Sequence, residues 1–147
     1  MNATAKILKA EDGVRLTVLG DHQCIKLSGK DTNNQFTLIE QWNDPGIGVP
    51  KHVHANEGEV FHVLEGTVEF QIEDTVQTLK AGELTYVPRG VAHRFTIVGD
   101  TKAKVHLSIF PAGIERMFEE MNQLPSGPPD VAVVTVICAK YGVTILP

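Results

Sequence analysis

Basic charge is scarce in this chain. Its 13 Lys and Arg are outnumbered by 18 Asp and Glu, for a formal net charge of -5. That balance gives no electrostatic footprint for a phosphate backbone, so nucleic acid is not an expected partner. Cysteine is scarcer still, with only Cys24 and Cys138, far apart and in apolar surroundings. Two such thiols exclude a disulfide-dense secreted scaffold. Buried free thiols are expected, which fits a reducing cytoplasm, with a single disulfide as the alternative. No apolar run reaches the ~20 residues of a membrane span, and the first ten residues lack the apolar core of a signal peptide. Low-complexity segments, internal repeats and interdomain linkers are missing as well, so arrays and multidomain layouts are not expected.

What remains is a chain of 147 residues, 42% hydrophobic and near zero in mean hydropathy. Such a length supports one domain, 1–147, with a core of its own. Residues 1–44 hold three β-rich runs, V-R-L-T-V-L-G, H-Q-C-I-K-L-S-G and Q-F-T-L-I-E-Q-W, divided by Gly, Asp and Asn. Residues 45–110 carry at least five further short strands. Two of them, T-V-E-F-Q-I-E-D and T-V-Q-T-L-K, flank Asp74 as a tight hairpin on the outer surface. V-H-L-S-I-F closes the β region, which extends over about 14–110.

The segment after Pro111 differs, and a helical region over about 112–142 is predicted. In G-I-E-R-M-F-E-E-M-N-Q-L, the residues Ile114, Met117, Phe118 and Met121 form one apolar helical stripe. Pro125 to Pro129 is a break. The stretch D-V-A-V-V-T-V-I-C-A-K-Y-G is rich in β-branched residues, which favours a strand. Pro129 and Asp130 at its start and Lys140 and Gly142 at its end favour a helix, as does the spacing of Val131, Val134, Cys138 and Tyr141. A second helix is predicted. Covering a barrel end or supporting a dimer is the expected role of both.

Three imidazoles and one carboxylate stand out: His52, His54, Glu59 and His93. Imidazole and carboxylate suit Fe, Mn, Ni, Cu or Zn, and the lack of a nearby Cys removes thiolate-rich sites. His52 and His54 are two apart and share a face of an extended strand. The run E-V-F-H-V-L-E-G reads as a strand with Glu59, Phe61 and Val63 on one face and His62 on the other, as a packing or hydrogen-bonding residue. His93, Phe95 and Ile97 share a face of a third element. Ligands on separate strands need a closed or strongly curved sheet to meet. Glu57 is the alternative carboxylate, although the spacing favours Glu59. Phe61, Phe95 and Tyr86 are candidates to line a cavity or fill the core. His106 is a candidate for the pocket or its exterior. His22, Arg89 and Arg94 read as solvated surface.

These residues fall in two motifs that resemble the signatures of the cupin superfamily. The first, G-x5-H-x-H-x4-E-x6-G, is matched at Gly46, His52, His54, Glu59 and Gly66. The second, G-x5-P-x-G-x2-H-x3-N, is matched at Gly82, Pro88, Gly90 and His93, with Ile97 in place of the closing Asn. The resemblance implies a mainly β fold, a double-stranded β-helix or jelly-roll barrel, with the two C-terminal α-helices added. The tail, P-x-G-x-E-x-x-F-E-E followed by a helix ending in Y-G, is similar to that of small quercetinase-like cupins.

That likeness implies one divalent transition metal on His52, His54, Glu59 and His93, and a homodimer as the family default. It also implies a dioxygenase-like enzyme acting on a small enol, catechol or flavonol-type molecule, with Glu59 as a possible general base. Two alternatives stand beside it. One is a non-catalytic, metal-dependent small-molecule binding protein; the other is a sugar or keto-acid isomerase. An apolar, aromatic pocket would favour the dioxygenase, and converging Arg or Lys groups would favour a phosphorylated sugar.

Overall fold

A computed structural model describes residues 3–147. Strands β1 (Val14–Val18), β2 (Asp21–Leu27), β3 (Thr37–Asn43), β4 (Gly48–His54), β5 (Gly58–Glu65) and β6 (Thr67–Ile72) follow one another, interrupted by the one-turn helix α1 (Gly29–Thr32). Then come β7 (Thr75–Lys80), β8 (Leu84–Val87), β9 (His93–Val98) and β10 (Ala103–Phe110). Helices α2 (Glu115–Asn122) and α3 (Val131–Lys140) and a short strand β11 (Val143–Ile145) complete the described chain.

The strands form two antiparallel sheets, ordered β1-β2-β3-β10-β5-β8 and β11-β4-β9-β6-β7. Chain neighbours repeatedly fall in opposite sheets, the mark of a jelly roll. The alternation of side chains fixes which face is inside. On β5, Glu59, Phe61 and Val63 are buried while Val60, His62 and Leu64 are only partly so; on β9, His93, Phe95 and Ile97 are buried. Phe61, Phe70 and Phe95 meet in the interior with ring centroids 5.2–6.2 Å apart. The hairpin at Asp74 is a two-residue turn between β6 and β7, and β7 is exposed along nearly its whole length.

The motif glycines have a conformational reason. Gly46, Gly66, Gly82 and Gly90 have φ of 92°, 79°, 91° and 82°, a region costly for residues with a Cβ. Gly66 is doubly constrained, because a Cβ there would lie 2.5 Å from the Lys102 carbonyl oxygen. Ile97, at the position of the family's Asn, is 2% exposed in the core. Its backbone N–H donates to the Ile47 carbonyl at 2.8 Å, and its carbonyl accepts from Gly46 N–H at 2.8 Å. The strand therefore continues through this position.

Both C-terminal helices are present. On α2 the predicted stripe Ile114, Met117, Phe118 and Met121 is buried. In α3, Asp130 is the N-cap and accepts from the N–H groups of Ala132 and Val133 at 3.0 and 3.3 Å. Val134, Ile137 and Cys138 face the core, but Val131 is 69% exposed, so the predicted stripe is displaced to the inner face of the helix. Strand β11 was not foreseen. It pairs with β4, placing Val143, Thr144 and Ile145 opposite His54, Val53 and His52. Cys24 and Cys138 are free and buried. No helix among the described residues is long and apolar enough to cross a membrane.

Candidate metal centre

His52 and His54 lie on β4 and His93 on β9, with His52 directly opposite His93 in the register of these paired strands. Glu59 approaches from β5 in the facing sheet. The turn Ala55–Glu57 crosses from one sheet to the other between them. One ligand atom from each of the four side chains lies within 4.8 Å of every other. Donors about 2.1 Å from a common ion span up to about 4.2 Å, so adjustments of a few tenths of an ångström would bring them onto one cation.

The ring nitrogens are allotted in a consistent way. Nδ1 of His52 is 2.8 Å from the Pro50 carbonyl oxygen, and Nδ1 of His93 is 2.9 Å from that of Val91. Nδ1 of His54 is 3.2 Å from Oε1 of Glu57. Carbonyls and carboxylates accept, so each Nδ1–H donates outward and each Nε2 is left for the interior. His93 Nε2 and His54 Nε2 lie 2.8 and 3.4 Å from the same Glu59 Oε1. A carboxylate oxygen facing ring nitrogens at these distances calls for a proton or a metal ion between them.

His52, His54 and Glu59 open on a cavity with about 60 Å³ of space for the centres of water molecules. That is room for a few waters. Its walls are Phe61, Phe95 and Leu107 from the sheets and Met117, Phe118 and Met121 from α2. No Arg or Lys lines it among the described residues. At another part of the wall stand Asp21, Gln23 and Gln41, all at most 5% exposed.

A family model described as the cupin domain matches residues 43–110, the stretch that carries all four groups. Over that stretch the chain is similar to the cupin family, and its fold is the jelly roll of that family. Protein SchB of Streptomyces halstedii is 30% identical to this chain over 67 residues, 46% of this chain and 49% of that protein. Polyketide synthase CurC of Streptomyces cyaneus is 33% identical over 66 residues, 44% of this chain and 43% of that protein. The match thus spans about half the length of these curated relatives or less. Among solved structures, KdgF from Halomonas sp. superposes with a TM-score of 0.66 at 16% identity, covering 77% of this chain and 99% of that one. At that identity the likeness is one of fold alone.

The electrostatics of the cluster are divided. Burial, seconded by neighbouring His93, pushes the His52 pKa down to about 4. Burial also opposes charging His54, but the carboxylates of Glu59 and Glu57 outweigh it and hold its pKa above the ordinary histidine value. Burial works against ionising Glu59, yet the surrounding His54 and His93 keep its pKa below the usual carboxylate value. The cluster is thus able to bind a metal ion, with its carboxylate ionised and one imidazole already neutral.

The geometry also places the remaining candidates. Tyr86 does not line the cavity; it is 61% exposed on the outer face of β8. His106 also points outward, with Nε2 2.9 Å from Glu40 Oε2. Arg94 is not simply solvated: it donates to Gln71 at 2.8 Å and to Glu69 at 3.2 Å on the outer sheet face. Glu57 is buried against His54 rather than standing in for Glu59. Met117, Phe118, Met121, Asp21, Gln23 and Gln41 were missed as cavity residues. The helical stripe marked the first three as buried, but nothing in their spacing said that they would face a site.

Proposed function

We propose that His52, His54, Glu59 and His93 hold one divalent transition metal, drawn from Fe, Mn, Ni, Cu or Zn. On this reading the protein is a dioxygenase-like oxidoreductase acting on a small enol or catechol. The observation that carries it is the shared orientation of three imidazoles, each with Nδ1–H bonded outward, around one carboxylate at an apolar, aromatic cavity. Bound there, the ion would supply Lewis acidity toward an enol or phenol oxygen and, if redox-active, access to dioxygen chemistry.

The chain's own residues have distinct parts in this reading. Glu59 accepts the ligand's hydroxyl proton as general base, while Glu57 keeps His54 in its Nδ1–H form. Phe61 and Phe95 pack on the ring, and Met117, Phe118 and Met121 exclude water. The apolar lining, without Arg or Lys, speaks against a phosphorylated sugar. The similarity to a protein named a polyketide synthase is in keeping with a phenolic or enolic ligand. Unpaired buried thiols support a reducing, cytoplasmic setting. Exposed Leu84 and Tyr86 on edge strand β8 support a homodimer.

Elemental analysis tests the ligand set. About one ion per chain is expected in the purified protein, and His52→Ala or His93→Ala should lose it. A full load in both variants would refute the assignment. Oxygen uptake with catechols or small enols, on iron- or nickel-loaded protein, tests the reaction. Metal-dependent binding without uptake would favour a non-catalytic small-molecule binding protein.

A further inference from the structure

The cavity has a second polar region, built with unusual thoroughness around one carboxylate. Asp21 is 2% exposed and begins β2. Its Oδ2 accepts from Gln23 Nε2 at 3.0 Å and from Gln41 Nε2 at 2.8 Å, and its Oδ1 accepts from Asn43 Nδ2 at 2.7 Å. Gln23 and Gln41 are opposite each other in the β2–β3 register, so the backbone fixes this grouping. All four side chains are at most 5% exposed.

One atom of the group is left over. Gln23 Oε1 has no hydrogen-bond partner, the only such buried side-chain atom among the described residues. As Asp21 accepts at both oxygens, Gln23 presents its NH2 to Asp21 and its carbonyl oxygen away from it. Leaving a buried acceptor without a donor costs free energy, and such an atom needs an explanation. Gln23 lines the same cavity as His52, His54 and Glu59.

We propose that Gln23 Oε1 is a recognition acceptor that takes a hydrogen bond from a hydroxyl group of the cavity's ligand. The Asp21–Gln41–Asn43 group is then the support that locks the Gln23 amide in the accepting orientation. The ligand class follows: a compact hydroxylated ring or enol with a donor hydroxyl set apart from the oxygens that face the histidines. Hydroxyl-free analogues and ethers, which have no donor, leave Gln23 unpaired and are discriminated against. The assignment of the histidine-facing oxygens rests on the function proposed above; the Gln23 contact does not.

The test separates the two. Metal-stripped protein is titrated calorimetrically with phenol and with toluene, in the wild type and in Gln23→Leu. The wild type should prefer phenol to toluene by about tenfold more than the variant does, the worth of one hydrogen bond. An unchanged preference, or no phenol binding at all, overturns the proposal. Should Gln23→Leu fail to fold, the Gln23 side-chain amide resonances of the wild type give the answer: phenol must shift them and toluene must not. Zinc-loaded protein titrated with catechol under nitrogen reports on the metal reading separately. Failure in that arm with success in the phenol arm leaves the Gln23 contact standing.

Discussion

At the residue scale, the candidate centre depends on a group that orients a ligand through its N–H. Glu57 is 8% exposed and holds the Nδ1–H of His54, so its carboxylate fixes which nitrogen of that ring faces inward. Removing a partner of this kind typically weakens a metal site about 10–100-fold. Glu57→Ala should therefore lower zinc affinity by that factor, measured by competition with a chromophoric chelator, while far-UV circular dichroism stays unchanged. An unaltered affinity would leave Glu57 without a part in the site. The spacing favoured Glu59 as the ligand and offered Glu57 only as its alternative, so nothing in it marked Glu57 as a support. The turn between β4 and β5 is what places Glu57 against His54.

At the element scale, Glu115 fastens the start of α2 to the barrel. Glu115, 7% exposed, accepts from Thr37 Oγ1 at 2.8 Å, from Gly113 N–H at 2.7 Å and from Gly29 N–H at 2.8 Å. Burial disfavours its charge, but these donors outweigh burial and hold its pKa below the ordinary glutamate value. Glu115→Ala would strand three donors and should cost about 3 kcal/mol, or about 6–12 °C in Tm for a chain of this size. The ionised carboxylate stabilises the fold above pH 4.5, and that contribution is lost as pH falls through the lower folded-state value. Thermal denaturation of both proteins at pH 7 and pH 3.5 should thus show a smaller difference at the acid value. The tail motif P-x-G-x-E-x-x-F-E-E acquires a physical meaning here. Its Glu anchors the helix, its Phe closes the cavity, and Glu120 accepts from Lys140 at 2.6 Å and Tyr141 at 3.0 Å to tie α2 to α3.

At the scale of the whole molecule, the candidate centre couples global stability to pH when no metal is bound. His52 titrates at about 4 in the fold against an ordinary value of 6.5. Between those values the unfolded chain takes up a proton that the fold refuses, so stability falls as pH drops from 6.5 toward 4. His54 has the opposite sign: its raised pKa stabilises the fold below pH 6.5, and that gain is lost as pH rises through the folded value. Together they place the centre's contribution at a maximum near pH 6.5. Tm of the chelator-treated protein from pH 5 to 8.5 should reflect this, and His52→Asn should flatten the acid limb. An acid limb of the same slope in the variant would remove His52 as its cause.

The sequence by itself determined most of the strands and the enclosed face of each, because a two-residue period leaves little freedom, and it singled out His52, His54, Glu59 and His93, whose meeting its likeness to the cupin motifs implied. It also determined α3 against the β-branched composition of its residues, through Asp130 at one end and Gly142 at the other. Tertiary structure alone decided the rest. Strand β11 comes to lie beside β4, the helix stripe becomes a cavity wall, and Gln23 is left with an acceptor that nothing fills. Such features come from pairing between residues many positions apart, and no local pattern encodes which buried face will meet a vacancy rather than another side chain.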